Sequence, residues 1–551
     1  MSVEYTNGNI NGNTNENKNG KTNGNTNGII NGAKYAKLYD SRRFITNNLV
    51  NRLEEKLTSS KLEQFKINKI IENAIHWCLV NGFVLVPKSR KQEELMVVTY
   101  LPFTLFPTPF NKNHFEQVID LQPHVNELIN KISNNDDFMQ KSFKNLTVID
   151  NFLENLWCLY NKAKDEGYNQ KINFSILRTD YMLHQGDEDI SMKQVEINTI
   201  AAGFGYVSTK ATMLHREILK WTENFDALKR LPHNEPVVKM AQGFAEAWRL
   251  YNVKNSIVLF LVLDIEINIA DQRHLEYEIQ KQEPLIEVHR CTLAELNKYG
   301  HLGEDKTLYF DDKEISIVYF RAGYDPSHFK SQVEWDTLYR IEISKAIKCP
   351  NIGTFLAGMK KIQESISIEE NLEIFCKSNK NLLKSFFAEF FLLNTSENIE
   401  KVLENPENYV LKPQREGGGN NFYNQEIVSI LNRIKSIETC LNGNVNGKKI
   451  MEDRYNKDFY IVMEYLRPLI SHNYIISSKY QQKLYETGKQ GTLEKKKITN
   501  ELGVYGVLVK NGDEIVMNET CGYCLRSKLA EDNEAGVMCG SGALDSVYLV
   551  D

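Results

Sequence analysis

Apolar residues recur at helical spacing over 44–81, with Leu49, Leu53 and Leu57 followed by Ile67, Ile70, Ile71 and Ile75, and the run stops at Gly82. Further helices are predicted over 114–132 and 148–163, so the chain up to about residue 165 reads as mainly helical. The period then changes. Val195-Glu196-Ile197-Asn198-Thr199-Ile200 alternates, and a strand there turns Glu196 and Asn198 to one face and Val195, Ile197 and Thr199 to the other. From Pro236 to Cys349 the pattern gives helix (237–251), strand (256–263), helix (271–281), strand (315–320) and helix (333–347). A strand as continuously apolar as Ile257-Val258-Leu259-Phe260-Leu261-Val262 is buried on both faces. With helices between such strands, a parallel α/β layer is predicted. Beyond it come a helical segment over 360–393, a short strand over 409–411, a helix over 426–440 and a strand over 459–464. A hairpin of 503–510 with 514–518 turns at Asn511-Gly512.

Composition changes this picture at the N-terminus. Residues 1–33 repeat Asn, Gly and Thr with almost no apolar side chains to offset the entropy of ordering, which predicts a disordered tail. Asn442-Gly443-Asn444-Val445-Asn446-Gly447 echoes it and reads as a tolerated loop insertion. The remainder, from a chain of 551 residues with 42% hydrophobic and 25% charged, suffices for two or more globular domains. A net charge of −6 argues against nucleic acid as a partner. No stretch has the length of a membrane span and no signal-peptide pattern opens the chain, so a cytoplasmic location is expected. The nine scattered cysteines do not form a disulfide framework, and Cys521-Gly522-Tyr523-Cys524 has no second pair to complete a zinc set.

Candidate chemistry concentrates in Lys412-Pro413-Gln414-Arg415-Glu416-Gly417-Gly418-Gly419-Asn420-Asn421. Three glycines let backbone N–H groups approach phosphate oxygens, Lys412 and Arg415 add positive charge, and Glu416 offers a hard oxygen ligand. These features point to ATP, although neither G-x-x-x-x-G-K-[ST] nor G-x-G-x-x-G after a strand is present. The competing reading of the run by itself is a glycine-rich surface loop.

Several stretches together carry a resemblance. They are Phe103-Thr104-Leu105-Phe106-Pro107, Arg178-Thr179-Asp180-Tyr181, Gln194-Val195-Glu196-Ile197-Asn198-Thr199-Ile200, Asp271-Gln272-Arg273 and Tyr319-Phe320-Arg321-Ala322-Gly323-Tyr324. Leu356-Ala357-Gly358-Met359-Lys360-Lys361, the glycine-rich run, Met463-Glu464, Glu501-Leu502-Gly503 and Leu525-Arg526-Ser527-Lys528 continue the series. In order and spacing the chain resembles eukaryotic-type glutathione synthetases from about residue 65 to its end. The resemblance implies an α/β protein with a circularly permuted ATP-grasp fold, assembled as a homodimer. It divides the chain into the tail (1–33), a helical and ATP-grasp part (34–235), a parallel α/β substrate-binding domain (236–355) and a second ATP-grasp part (356–551). The implied reaction joins glycine to γ-glutamylcysteine through an acyl phosphate, with ATP as co-substrate and Mg2+ as cofactor.

Residue roles follow from the same resemblance. Glu196, Asn198 and Glu416 match the magnesium ligands, and Arg178, Arg526 and Lys412 the catalytic cations. The ATP positions are Glu196, Lys360, Lys412, Pro413, Gln414, Arg415, Glu416, Gly417, Gly418, Gly419, Asn420, Asn421, Tyr423, Met463, Glu464, Tyr465, Leu466, Glu501, Lys528 and Glu534. The peptide and acceptor positions are Arg178, Ile200, Ala201, Ala202, Gly203, Glu266, Ile267, Asn268, Gln272, Arg321, Ala322, Gly323, Tyr324, Arg526, Val537 and Met538. Arginine forks suit the carboxylates of a small anionic peptide, and Glu266 suits an α-ammonium. Two departures stand out: Ala201 and Gly203 occupy places where the family often has serine, and Met538 and Cys539 places where alanine is expected. The alternatives are the same ligase with β-alanine or another small amine as acceptor, and a noncatalytic ATP-binding scaffold.

Overall fold

The computed structural model describes residues 61–87, 97–144, 146–147, 150–167, 169–186, 189–413, 421–441, 456–478, 494–533, 536–537 and 541–551. The tail 1–33, the first part of the predicted 44–81 helix, the insertion 442–447, the stretch 414–420, Glu534 and Met538 lie outside them.

Helices form where the apolar period is clean. Lys61–Val80 buries Ile70, Ile71, Ala74, Ile75 and Cys78. Lys112–Ser133 starts at Asn111, whose side chain accepts the His114 N–H, and Asn151–Glu166 starts at Asp150, which accepts from Phe152 and Leu153. Each cap satisfies backbone donors that have no partner inside the helix.

The centre is an eight-stranded sheet running Ile475–Ile476, Phe103–Thr104, Gly542–Asp545, Glu514–Leu529, Lys496–Asn511, Ile172–Gln185 and Ile190–Asn198, with Ser471–Asn473 paired on Lys496–Asn511. Strands from both ends of the chain therefore meet in one sheet. The central hairpin strands are 16 residues each, far longer than the predicted 503–510 and 514–518. Charged residues and Gly503, Gly506 and Gly522 interrupt the apolar alternation and hide the extension. Helix Lys112–Ser133 covers one face, where Asn126 meets Gly506, and Pro236–Tyr251 covers the other, where Gly243 meets Val507 and Phe174.

A second sheet holds the expected parallel layer, with Glu287–Cys291, Ile257–Leu261, Lys313–Phe320 and Ile347–Cys349 all parallel. Here the predicted 333–347 helix is corrected: it spans Gln332–Glu342, and Ile347–Cys349 is a strand. The Ser344 hydroxyl donates to the Ile341 carbonyl and closes the last turn, and the apolar residues that follow enter the sheet. The predicted 360–393 helix is three short helices, Lys360–Ser367, Glu369–Phe375 and Lys380–Phe386, followed by the strand Phe390–Phe391. Ile368 in extended conformation ends the first and begins the second.

A third, antiparallel sheet is ordered Phe390–Phe391, Tyr460–Glu464, Tyr409–Pro413, Phe422–Tyr423, with helix Gln425–Leu441 packing Ile427, Leu431 and Ile434 against it. Ala388, Phe390, Ile461, Met463 and Leu466 form a further core against Met182 and Val195, which fastens this sheet to the edge of the central one.

Candidate active site

Helix Pro236–Tyr251 begins near Gly522, where Asn234 exchanges hydrogen bonds with the Tyr523 backbone at 2.9 Å. Beneath the helix the sheet face carries Phe174, Val507 and Val509. Beyond its first turn the same face carries ions. Across four strands lie Glu196 and Asn198, then Asp180 and Arg178, then Glu501 and Gly503, then Arg526. The register pairs Asp180 with Glu196 and Gly503, Arg178 with Asn198 and Tyr505, and Glu501 with Arg526. Gly503 leaves room between strands: a Cβ there would stand 2.7 Å from both Arg178 Cδ and Asp180 Oδ1.

Asp180 is the hub, and sequence reading gave it no role. It has no accessible surface and accepts from Arg178 Nε at 2.7 Å and Nη2 at 2.9 Å, from Arg526 Nη2 at 2.7 Å and from Asn198 Nδ2 at 3.0 Å. Arg526 also reaches Glu501. Burial pushes both carboxyls up, but the Arg178 and Arg526 guanidiniums reverse this for Asp180, whose pKa lies below the usual value. Glu501 shares only Arg526 and sits beside Asp180 and Glu196, and burial leaves its pKa raised. Asp180 is thus the carboxyl of the two that the guanidiniums hold below its usual value. In return it outweighs the desolvation of Arg178 and holds that guanidinium charged. An Arg-x-Asp pair on one strand shares a face, which brings these two side chains together.

Asn198 spends its NH2 on Asp180 and on Glu196 Oε1 at 3.3 Å. Its carbonyl oxygen and the half-buried Glu196 are left as oxygen donors suited to a hard cation. Among the described residues no three His, Cys, Asp or Glu converge as a metal site, and Glu416, the third predicted ligand, lies outside them.

The Tyr505 hydroxyl donates to the Gly203 carbonyl at 2.6 Å, tying the 200–203 segment to the ion cluster. Ala201 (φ 51°) and Phe204 (φ 75°) take left-handed backbone as this segment turns into helix Gly205–Trp221. That helix has no side-chain cap of its own. Asp271 substitutes from a neighbouring helix, Ile269–Gln282, accepting from Phe204 N at 2.7 Å and Tyr206 N at 2.8 Å. Beside it is a small cavity lined by Ala202, Gly205, Val237, Met240, Asp271, Gln272, Leu275, Tyr319 and Arg321. Arg321 Nε, on a residue of its wall, and Oδ1 of Asn268, which bonds Asp271, are buried without hydrogen-bond partners. An unsatisfied guanidinium N–H and an amide carbonyl suit a ligand carrying both carboxylate and ammonium.

The predicted positions divide accordingly. Ala202, Gln272 and Arg321 line this cavity, Glu266 bonds Gln272, and Ile200 and Gly323 line a second cavity with Glu342. Tyr324 lies edge-on to His328, and Val537 is buried. Lys412, Pro413 and Tyr423 share the third sheet with Met463 and Glu464, and Lys412 donates to the Val195 carbonyl at 3.3 Å, next to Glu196. Tyr465 follows that strand and stands edge-on to Tyr423, while Leu466 joins the core beneath. Lys360 begins its helix, and both it and Lys528, two residues beyond Arg526, are buried. Gln414, Arg415, Glu416, Gly417, Gly418, Gly419, Asn420, Glu534 and Met538 are outside the described residues.

The family model for the eukaryotic glutathione synthase ATP-binding domain matches residues 64–549. Glutathione synthetase of Rattus norvegicus is 32% identical over 496 residues, 89% of this chain and 98% of its own length. That of Dictyostelium discoideum is 33% identical over 509 residues, covering 88% and 99%. A chloroplastic glutathione synthetase of Arabidopsis thaliana is 32% identical over 497 residues, covering 89% and 87%. In fold, the chain is similar to a glutathione synthetase-like effector of Globodera pallida, with TM-score 0.67 and 22% identity over 88% of this chain and 96% of the other. With that extent of agreement along nearly its whole described length, the chain belongs to the eukaryotic glutathione synthetase family.

Proposed function

We propose that this chain joins glycine to γ-glutamylcysteine at the expense of ATP, giving glutathione, ADP and phosphate. The observation that carries the reading is the buried cluster of Arg178, Asp180, Glu501 and Arg526 at the sheet end past the start of helix Pro236–Tyr251, near the cavity lined by Arg321 and Gln272. A carboxylate is a poor acyl donor, so its oxygen first attacks the γ-phosphorus and ADP leaves. The glycine amine then attacks the carbonyl carbon of the acyl phosphate, the bond to phosphate oxygen breaks, and the amine gives up a proton. Both steps build negative charge on oxygen. Arg178 and Arg526, fixed by Asp180, supply positive charge without reorganising. Phosphoryl transfer of this kind needs no activated nucleophile. The thiols at Cys521 and Cys524 offer none, since burial pushes both up, Cys524 to about 11.

Glu196, Asn198 and Glu416 are proposed to hold Mg2+, which when bound neutralises phosphate charge. Lys360, Lys412, the 413–421 run, Tyr423, the Met463 to Leu466 stretch, Glu501, Lys528 and Glu534 are assigned to ATP. Glu266, Ile267, Asn268, Gln272, the Arg321 to Tyr324 stretch and the 200–203 segment are assigned to the donor peptide, and Val537 and Met538 to the acceptor end. The circularly permuted ATP-grasp arrangement, with the divisions at 34–235, 236–355 and 356–551, is part of the proposal. The meeting of strands from the first and last of these stretches in the central sheet supports it. A homodimer in the cytoplasm completes the reading; no helix among the described residues is long and apolar enough to cross a membrane.

A noncatalytic scaffold is disfavoured by relatives from animals, plants and Dictyostelium that are all glutathione synthetases. The test is ADP release with γ-glutamylcysteine and glycine, β-alanine or serine, on wild type and Glu196→Gln. Glycine should be the fastest acceptor and the variant nearly inactive. A preference for β-alanine would overturn the acceptor, absence of ADP release the ligase, and full activity of Glu196→Gln at saturating Mg2+ the metal assignment.

A further inference from the structure

Gln272 is buried with both ends of its amide engaged. Its Nε2 donates to Glu266 Oε2 at 2.8 Å, and its Oε1 accepts from Arg290 Nη2 at 2.7 Å. The other Glu266 oxygen accepts the Leu263 N–H at 3.0 Å. Arg290 sits on the strand Glu287–Cys291 and is not among the residues lining the cavity. Its second fork nitrogen meets Glu276, one helical turn beyond Gln272, and Glu276 also takes Arg273 at 2.7 Å. A chain Glu276, Arg290, Gln272, Glu266 thus runs from one turn further along the helix, through Gln272 in the cavity wall, to the half-buried Glu266.

The chemistry of this chain has one direction. A guanidinium can only donate, so Arg290 holds the Gln272 carbonyl towards itself and leaves the NH2 for Glu266. Were the amide turned over, its carbonyl oxygen would face a carboxylate that can only accept. We propose that Arg290 is a positioning residue of the donor-peptide site: it fixes the Gln272 amide and, through it, the Glu266 carboxylate that takes the donor's α-ammonium. The proposal rests on the assignment of Glu266 and Gln272 to γ-glutamylcysteine. Arg290 touches no substrate, so its removal acts on donor binding and leaves ATP and glycine untouched.

The experiment measures KM for γ-glutamylcysteine, glycine and ATP, together with kcat, in Arg290→Met, Gln272→Ala, the double variant and Glu266→Gln. Loss of one hydrogen bond from a charged donor should raise the donor KM of Arg290→Met about tenfold, with kcat and the other KM values within about twofold. In the Gln272→Ala background the same change should add less than about twofold, because the path runs through Gln272. An unchanged donor KM in Arg290→Met, or an increment that persists without Gln272, overturns the proposal. If Glu266→Gln leaves the donor KM unchanged, the assignment of the site itself falls and the proposal with it. Arg290→Lys guards against misfolding: it keeps the charge facing Glu276 without the two-pronged fork, so the melting temperature stays near wild type while the donor KM still rises. A wild-type donor KM in a folded Arg290→Lys counts against the proposal.

Discussion

Asp180→Asn is nearly isosteric and tests whether one buried carboxylate organises the cluster. The wild-type side chain accepts three bonds from guanidinium nitrogens and one from Asn198. Placing the new amide oxygen where Oδ2 stands keeps the bonds from Arg178 Nη2, Arg526 and Asn198, but turns the NH2 towards Arg178 Nε, donor against donor. The opposite orientation loses three bonds instead of one. Either way Arg178, with its side chain 8% exposed, loses the charge that balances it, and Arg526, 11% exposed, keeps only Glu501. Breaking a buried pair by removing one partner costs about 3–5 kcal/mol. At about 2–4 °C per kcal/mol for a cooperative unit of 150–250 residues, the melting temperature should fall by about 6–20 °C. Displacing Arg178 and Arg526 by even an ångström should lower kcat/KM about 100-fold. The pH dependence has a definite sign. The folded pKa of Asp180 lies below its unfolded value, so its stabilisation is complete above about pH 4 and is lost as pH falls through the folded pKa. Scanning calorimetry of wild type and variant should therefore show a constant gap from pH 8 to about pH 5 that narrows below about pH 4. Equal melting temperatures at pH 7, or a gap that does not narrow in acid, would refute the reasoning.

Two further perturbations probe the same architecture. Gly503→Ala places a methyl 2.7 Å from Arg178 Cδ and Asp180 Oδ1, so kcat/KM should fall at least about tenfold with a smaller change in stability; wild-type turnover would mean the ion pair is not strictly positioned. His215 is fully buried, its Nε2–H donating to the Thr104 carbonyl at 2.7 Å and its Nδ1 accepting from the Ser546 hydroxyl at 2.6 Å. Burial lowers its pKa against the upward pull of Asp545, so its stabilisation is complete above about pH 6.5 and is lost as pH falls towards the folded value. Melting curves from pH 7.5 to 5 should show a slope of up to about 1.4 kcal/mol per pH unit that is reduced in His215→Gln, and identical slopes would exclude the histidine as the source.

Strong single periods were legible in the chain. Helices 114–132 and 237–251 were placed to within two residues at each end, because each buries one stripe and shows a polar one. The strand Ile172–Gln185 was missed: eight consecutive residues from Phe174 to Tyr181 are buried, including Ser175, Arg178, Thr179 and Asp180, so neither alternation nor an unbroken apolar run marks it. Helix Gly205–Trp221 escaped for a related reason. Its N-terminal signal is Asp271, far along the chain, and Ser208, Thr209, Thr212 and His215 are buried polar residues that blur the stripe.

The site was legible wherever chemistry and period coincide on one strand, as for Glu196 and Asn198, and not where it depends on which strands become neighbours. Glu501 and Arg526 meet Asp180 only because Lys496–Asn511 lies between Ile172–Gln185 and Glu514–Leu529, and no local pattern states that order. The same sheet face is apolar beneath helix Pro236–Tyr251 and ionic beyond it. Where the helix covers the sheet, an unpaired charge would be buried at a cost of several kcal/mol. Past the helix start, charges can be retained if each has a partner, and Gly503 provides the space that the Arg178–Asp180 pair fills. The place where the covering helix begins therefore fixes where the sheet can carry charge, and the paired arginines and carboxylates there are buried enough to be rigid.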